Sequence, residues 1–240
     1  MFVQSYRLKN IVKRLLANGQ ETLDFAALHP AHALRRKAHA ETMEFIASRC
    51  PRAMSFPSQM DLLGFSLSKV TVDGLYLEFG VYRGGSINRI ARKIAPKPVH
   101  GFDSFEGLPT DWYNMPKDFF SLGGTLPRVK KNVVLHKGFY DVSLPKWAAD
   151  NKEPIAFAHI DCDVYTSTKT VLDNIGASFV PGTVLLFDDY FNQPFWREDS
   201  HRAVEEYVAH SGTKVDYIAY SYKEMMMVVR GLRKADQTTE

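Results

Sequence analysis

The chain has 240 residues, 45% of them hydrophobic, and a formal net charge of +3 with Lys and Arg dispersed along it. That suits one α/β domain with an extension, since ordinary domains run about 100–200 residues and α/β folds often exceed that. The small charge argues against a nucleic-acid partner, no apolar run nears the ~20 residues of a membrane span, and the N-terminus lacks a signal-peptide pattern.

Only Cys50 and Cys162 are present, which makes no disulfide framework and suits a reducing, cytoplasmic setting. In chain order, Ser5 to Ala17 reads as an amphipathic helix with Leu8, Ile11, Val12, Leu15 and Leu16 on one side. His29-Pro30 makes a break, and Pro30 suits the first turn of a second helix, about Ala31 to Ser48. Arg35-Arg36-Lys37 reads as its solvated face. A third helix is expected over about Gln59 to Val70. Residues 1–70 are thus an N-terminal helical extension that packs on a sheet edge, roofs a site or makes an oligomer contact.

Leu75-Tyr76-Leu77-Glu78-Phe79-Gly80-Val81-Tyr82-Arg83-Gly84-Gly85-Ser86 reads as a buried strand, a glycine turn and a helix start. Ser86 is the expected cap of a helix continued by Ile87, Ile90 and Ile94. A helix N-terminus at such a turn offers N–H groups to a carboxylate or phosphate. Where the dinucleotide fingerprint needs a second glycine this chain has Tyr82, which crowds a pyrophosphate and leaves room for the single carboxylate of S-adenosylmethionine.

About one βαβ unit later, Val99-His100-Gly101-Phe102 ends on Asp103-Ser104. Asp103 stands where a doubly wound sheet holds ribose hydroxyls, the alternative being a turn cap. The connection from Gly107 to Asn132 carries Trp112, Tyr113, Phe119 and Phe120, and reads either as a lid over an acceptor or as a loop pinned to the core. Further strands are expected at about 133–136, 155–160 and 183–187, with two closing strands at 214–220 and 224–230. This alternation of strand and helix argues for a parallel sheet. Two of these runs deliver acids, Asp161-Cys162-Asp163 and Asp188-Asp189, to the same sheet edge. Such carboxylates repel one another unless a cation intervenes, and Mg²⁺ is the natural one. Asp163 also fits a helix cap before Thr166-Ser167-Thr168. His159 reads as a satisfied histidine of the core or one that supports the site from behind, and Met225-Met226-Met227 as core filler.

Glu78-Phe79-Gly80-Val81-Tyr82-Arg83-Gly84-Gly85-Ser86, Gly101-Phe102-Asp103-Ser104-Phe105-Glu106-Gly107-Leu108-Pro109, His159-Ile160-Asp161-Cys162-Asp163 and Phe187-Asp188-Asp189-Tyr190 together resemble the macrocin O-methyltransferase family. These are class I S-adenosylmethionine-dependent methyltransferases of natural-product biosynthesis. The resemblance spans about residues 70 to 230. It implies a doubly wound, mostly parallel, seven-stranded Rossmann-like sheet whose final strand inserts antiparallel beside the fifth. The domains are then the extension at 1–70, a methyltransferase core at 71–232 and a polar tail at 233–240. The resemblance also implies Mg²⁺-dependent transfer to a hydroxyl, with a metal triad of Asp161, Asp188 and Asp189. The stretch Gly138-Phe139-Tyr140-Asp141-Val142-Ser143 carries Val142-Ser143 where relatives tend to have an acid-Thr pair.

The expected cofactor-binding residues are Glu78, Gly80, Val81, Tyr82, Gly84, Gly85, Ser86, Asp103, Ser104, Gly138 and Asp161. Asp161 or Asp163 is the expected general base, with His201 as the alternative. The acceptor is a small hydroxylated molecule, a sugar or a phenol- or catechol-like metabolite, and the assembly is a monomer or homo-oligomer. The rival readings are a non-catalytic S-adenosylmethionine-binding module and an NAD-dependent oxidoreductase.

Overall fold

In a computed structural model of the chain, residues 29–113 and 115–231 are described. The helix expected over Ser5 to Ala17 and the tail at 233–240 lie outside them.

Helix α1 (Pro30–Arg49) begins as its sequence demands, with Pro30 in the first turn and the His29 ring accepting the Ala31 N–H at 3.2 Å. A two-residue strand β1 (Met54–Ser55) and helix α2 (Gln59–Ser68) follow, the latter capped by the Ser58 hydroxyl on the Asp61 N–H. The core then alternates β2 (Leu75–Phe79), α3 (Gly85–Ile94), β3 (Val99–Asp103), β4 (Val133–Lys137), α4 (Tyr140–Asp150), β5 (Ile155–Ile160), α5 (Tyr165–Ile175) and β6 (Val184–Phe187). Helix α6 (Ser200–Ser211) leads into the closing hairpin of β7 (Lys214–Tyr220) and β8 (Met225–Gly231).

The strand order is β1-β7-β8-β6-β5-β2-β3-β4. Strand β8 runs antiparallel to β6 and β7, and all other neighbours are parallel. The expected seven strands are present, with the last inserted antiparallel beside the fifth. The eighth, β1, comes from the extension and pairs Met54 and Ser55 with Ala219 and Tyr220.

Both faces of the sheet are covered, so its central strands are apolar almost throughout, and β5 is buried at every residue. Helices α2 and α3 cover one face through Leu62, Leu63, Ile87 and Ile90. The other carries α1, α4, α5 and α6 through Phe45, Leu144, Val171, Leu172 and Val204. The methionine run serves both layers, as strand alternation requires: Met225 and Met227 face one and Met226 the other.

Candidate active site

The sheet's chain order reverses between β2 and β5, and ligands of open α/β sheets bind outside the carboxyl ends of strands at such a point. A cavity of about 1420 Å³ opens there. Gly80 leaves β2 at φ +94°, and a Cβ on it would collide with the Asp161 carbonyl oxygen. Tyr82 follows at φ +46°, a left-handed backbone that costs a bulky residue about 1–3 kcal/mol. Asp103 holds the turn in this shape. Its Oδ2 accepts the N–H groups of Val81 at 2.9 Å and Tyr82 at 2.7 Å, and Oδ1 accepts that of Phe105 at 2.7 Å. Asp103 also lines the cavity.

Glu78 lies beneath the turn, fully buried. Oε1 accepts the Ser86 hydroxyl at 2.7 Å, and Oε2 stands 3.5 Å from His159 Nδ1. Burial pulls the His159 pKa down, but the Glu78 carboxylate outweighs it and the net shift is upward. His159 is therefore the ionic partner of a buried carboxylate, while both its ring nitrogens lack a hydrogen bond. His159 thus sits in the core behind the site, one of the two places expected for it. The expectation for Ser86 is corrected: the N-cap of α3 is Gly84, at φ +81°, and the Ser86 hydroxyl goes to Glu78 instead.

Strands β5 and β6 end in the acids. Oxygens of Asp161, Asp163 and Asp189 lie within 4.8 Å of one another, Asp163 at φ +61° and Asp189 at φ +48°. Aspartate tolerates that backbone better than most residues. Burial raises the pKa of Asp161 and of Asp163 well above the carboxylate range, and the neighbouring acids add to it. Asp188 is pushed up to about 6 by burial and Asp189, against the pull of Lys223. Its oxygens are engaged elsewhere, Oδ2 accepting from Gln59 Nε2 at 2.9 Å and Oδ1 from the Asp189 N–H at 2.9 Å. The grouped trio contains Asp163 beside Asp161 and Asp189, and Asp188 lines the same cavity next to it. Asp163 does not cap α5, whose N-cap is Val164. Three hard oxygen donors at this spacing fit a divalent cation such as Mg²⁺.

The roof comes from three separate segments. Ala31, Leu34 and Arg35 of α1 line the cavity. The long connection contributes Leu108, Trp112, Tyr113 and Phe120, the last packing edge-on against Tyr82 at 5.6 Å. The segment after β6 adds Asn192 to Phe195. Asp199 ties the last two together, accepting from Trp112 Nε1 at 3.2 Å and the Tyr113 hydroxyl at 3.1 Å, while Tyr113 stacks on Phe195. Helix α1 is fastened by Thr42, whose hydroxyl accepts the Asn192 N–H at 2.9 Å.

Of the expected cofactor-binding residues, Gly80, Tyr82, Asp103, Ser104, Gly138 and Asp161 line the cavity. Glu78, Val81, Gly84, Gly85 and Ser86 do not: they shape the turn from behind. His201 also lies outside it, buried under Phe45 and Trp196, with Nδ1 3.0 Å from the Tyr190 hydroxyl. Burial, then Arg197 and Arg49, lowers its pKa to about 4. Lys223, Gln59 and Asp199 escaped the sequence reading. Topology alone could have signalled Lys223, because an antiparallel strand beside β6 must begin where β6 ends. The turn before β8 therefore sits at the acidic edge.

Residues 77–190, just under half of the chain, match a family model described as a methyltransferase domain. Solved structures share the fold. The O-methyltransferase NovP aligns at TM-score 0.58 and 22% identity, covering 72% of this chain and 79% of that one. The calicheamicin methyltransferase CalS11 aligns at TM-score 0.55 and 22% identity, covering 70% and 76%. A second structure of CalS11, described as a TDP-rhamnose 3'-O-methyltransferase, aligns at 0.50 and 23%, covering 70% and 76%. No curated protein sequence matches the chain. Residues 77–190 thus resemble a methyltransferase domain, and the fold is one that the chain shares with the solved methyltransferases NovP and CalS11.

Proposed function

We propose that this methyltransferase domain moves the methyl group of S-adenosylmethionine to a hydroxyl of a small molecule, a sugar or a phenol- or catechol-like metabolite, with the help of Mg²⁺. One observation carries the reading: the glycine turn clamped by Asp103 and the trio Asp161, Asp163 and Asp189 share a single cavity. When bound, S-adenosylmethionine supplies an electrophilic methyl on a sulfonium and the cation supplies Lewis acidity toward the acceptor hydroxyl.

The chain's own part is alignment and proton handling. Gly80, Tyr82, Asp103, Ser104 and Gly138 hold the cofactor, and Asp161, Asp163 and Asp189 hold the cation. Asp161 or Asp163 takes the proton of the acceptor hydroxyl, both carboxylates lining the cavity where the acceptor would sit. A carboxylate has two oxygens, so holding a cation through one leaves the other for the proton. The roof of Leu34, Trp112, Tyr113 and Phe195 excludes water and orients the acceptor. Such alignment is worth ~7–11 kcal/mol in well-oriented systems. Ala31 and Arg35 of α1 complete that roof beside Leu34.

The narrower likeness to macrocin O-methyltransferases favours a sugar among the acceptors. No described helix is long and apolar enough to cross a membrane. A cytoplasmic location without a nucleic-acid partner, as monomer or homo-oligomer, completes the proposal. Calorimetric titration with S-adenosylmethionine, and with NAD as control, in Mg²⁺ and in EDTA, tests it. Binding of S-adenosylmethionine alone is expected. Binding of NAD, or of neither, overturns the reading.

A further inference from the structure

Lys223 places an ammonium where the acidic cluster would otherwise meet its cation. Its Nζ lies 2.5 Å from Asp189 Oδ1 and 3.8 Å from Asp188 Oδ1. The Lys223 backbone is held by hydrogen bonds. It sits in the turn between β7 and β8, closed by the Ser221 N–H on the Glu224 carbonyl at 3.0 Å and by the Ser221 hydroxyl on the buried Glu224 carboxylate. The Lys223 carbonyl also accepts the Tyr190 N–H at 2.9 Å, fixing the turn to the end of β6. The side chain is 35% exposed and lines the cavity.

We propose that Lys223 is a built-in counter-ion that competes with the divalent cation for Asp189 and leaves the carboxylate when the cation binds. The inference rests on the metal reading above. The physical reason is charge. Asp161, Asp163, Asp188 and Asp189 crowd one edge, and an internal ammonium offsets their mutual repulsion while no dication is bound. Once a dication sits on the same carboxylates, a nearby ammonium is repelled, and a flexible lysine stem lets it withdraw into the cavity. Lys223 is then a positioning residue that sets metal affinity.

Titration of Mn²⁺ into wild type, Lys223→Met and Lys223→Arg by calorimetry tests this. Lys223→Met is expected to bind roughly tenfold or more tightly than wild type, and Lys223→Arg, which keeps the charge, to stay near wild type. Equal or weaker binding by Lys223→Met overturns the inference and leaves the metal reading standing. Binding by none of the three proteins overturns both. A second measurement needs no variant: acetylation of Lys223 in the wild-type protein, read by mass spectrometry, is expected to speed up several-fold when Mn²⁺ is added. An unchanged rate, with Mn²⁺ binding shown, overturns the inference.

Discussion

Asp103 and Tyr82 are joined across the sheet by a 2.7 Å hydrogen bond from the Tyr82 N–H to Asp103 Oδ2, which holds Tyr82 in a left-handed backbone. The carboxylate at the end of β3 therefore shapes the glycine turn before it meets any ligand. Asp103→Ala is expected to cost about 1.5–3 kcal/mol of stability, the usual worth of hydrogen bonds to a charged group. Chemical denaturation measures this. S-adenosylmethionine affinity should fall as well, whereas a carboxylate that served only ribose would leave the apoprotein as stable as before.

The two adjacent acids after β6 should behave differently. Asp189 belongs to the grouped trio, while Asp188 is engaged by Gln59 and by the Asp189 amide. Asp189→Asn is expected to weaken Mn²⁺ binding at least roughly tenfold, and Asp188→Asn much less, because only the first removes a clustered donor charge. Calorimetry on both variants checks the order, and S-adenosylmethionine binding should survive in each.

Asp199 latches two roof segments through Trp112 and Tyr113. With Asp199→Ala, amides of residues 108–113 and 115–122 should exchange hydrogen faster while those of β5 do not change. The acceptor KM is expected to rise by roughly 3–10-fold with cofactor affinity retained, as when a roof loosens without damage to the floor. Unaltered exchange would mean that core packing of Trp112 alone holds the segment.

His201 gives stability a pH dependence of known sign. Its folded pKa is about 4, lowered by burial first and then by Arg197 and Arg49, against about 6.5 in an unfolded chain. The unfolded state thus binds more protons below pH 6.5, so this contribution is intact above that pH and is lost as pH falls toward 4. The raised carboxylates act oppositely, since a raised pKa favours the folded state at low pH. Comparing melting temperatures of wild type and His201→Asn isolates the histidine. The variant is expected to gain on wild type as pH is lowered from 6.5 to 4.

Much of this was legible in the chain. Five core strands and the closing pair stand within one residue of where apolar runs and glycines put them, because parallel strands covered on both faces must be apolar throughout. The glycine turn and the two acidic strand ends were equally plain, since strand ends deliver their residues to one edge whatever the side-chain details. The roles inside the cluster were not. Asp163 and Asp188 are both next to strand ends, and backbone φ together with the partners Gln59 and Lys223 separated them.

The sequence by itself determined the elements, the reaction edge and the chemical types assembled there, because these follow from local periodicity and from strand direction. Only the tertiary structure decided which side chains face the cavity and which brace it. Glu78 and Ser86 turned inward to each other, His201 sank beneath Phe45 and Trp196, and Lys223 arrived from a turn that follows Asp189 by more than thirty residues. Those outcomes depend on contacts between segments far apart in the chain, and no local pattern encodes a distance of that kind.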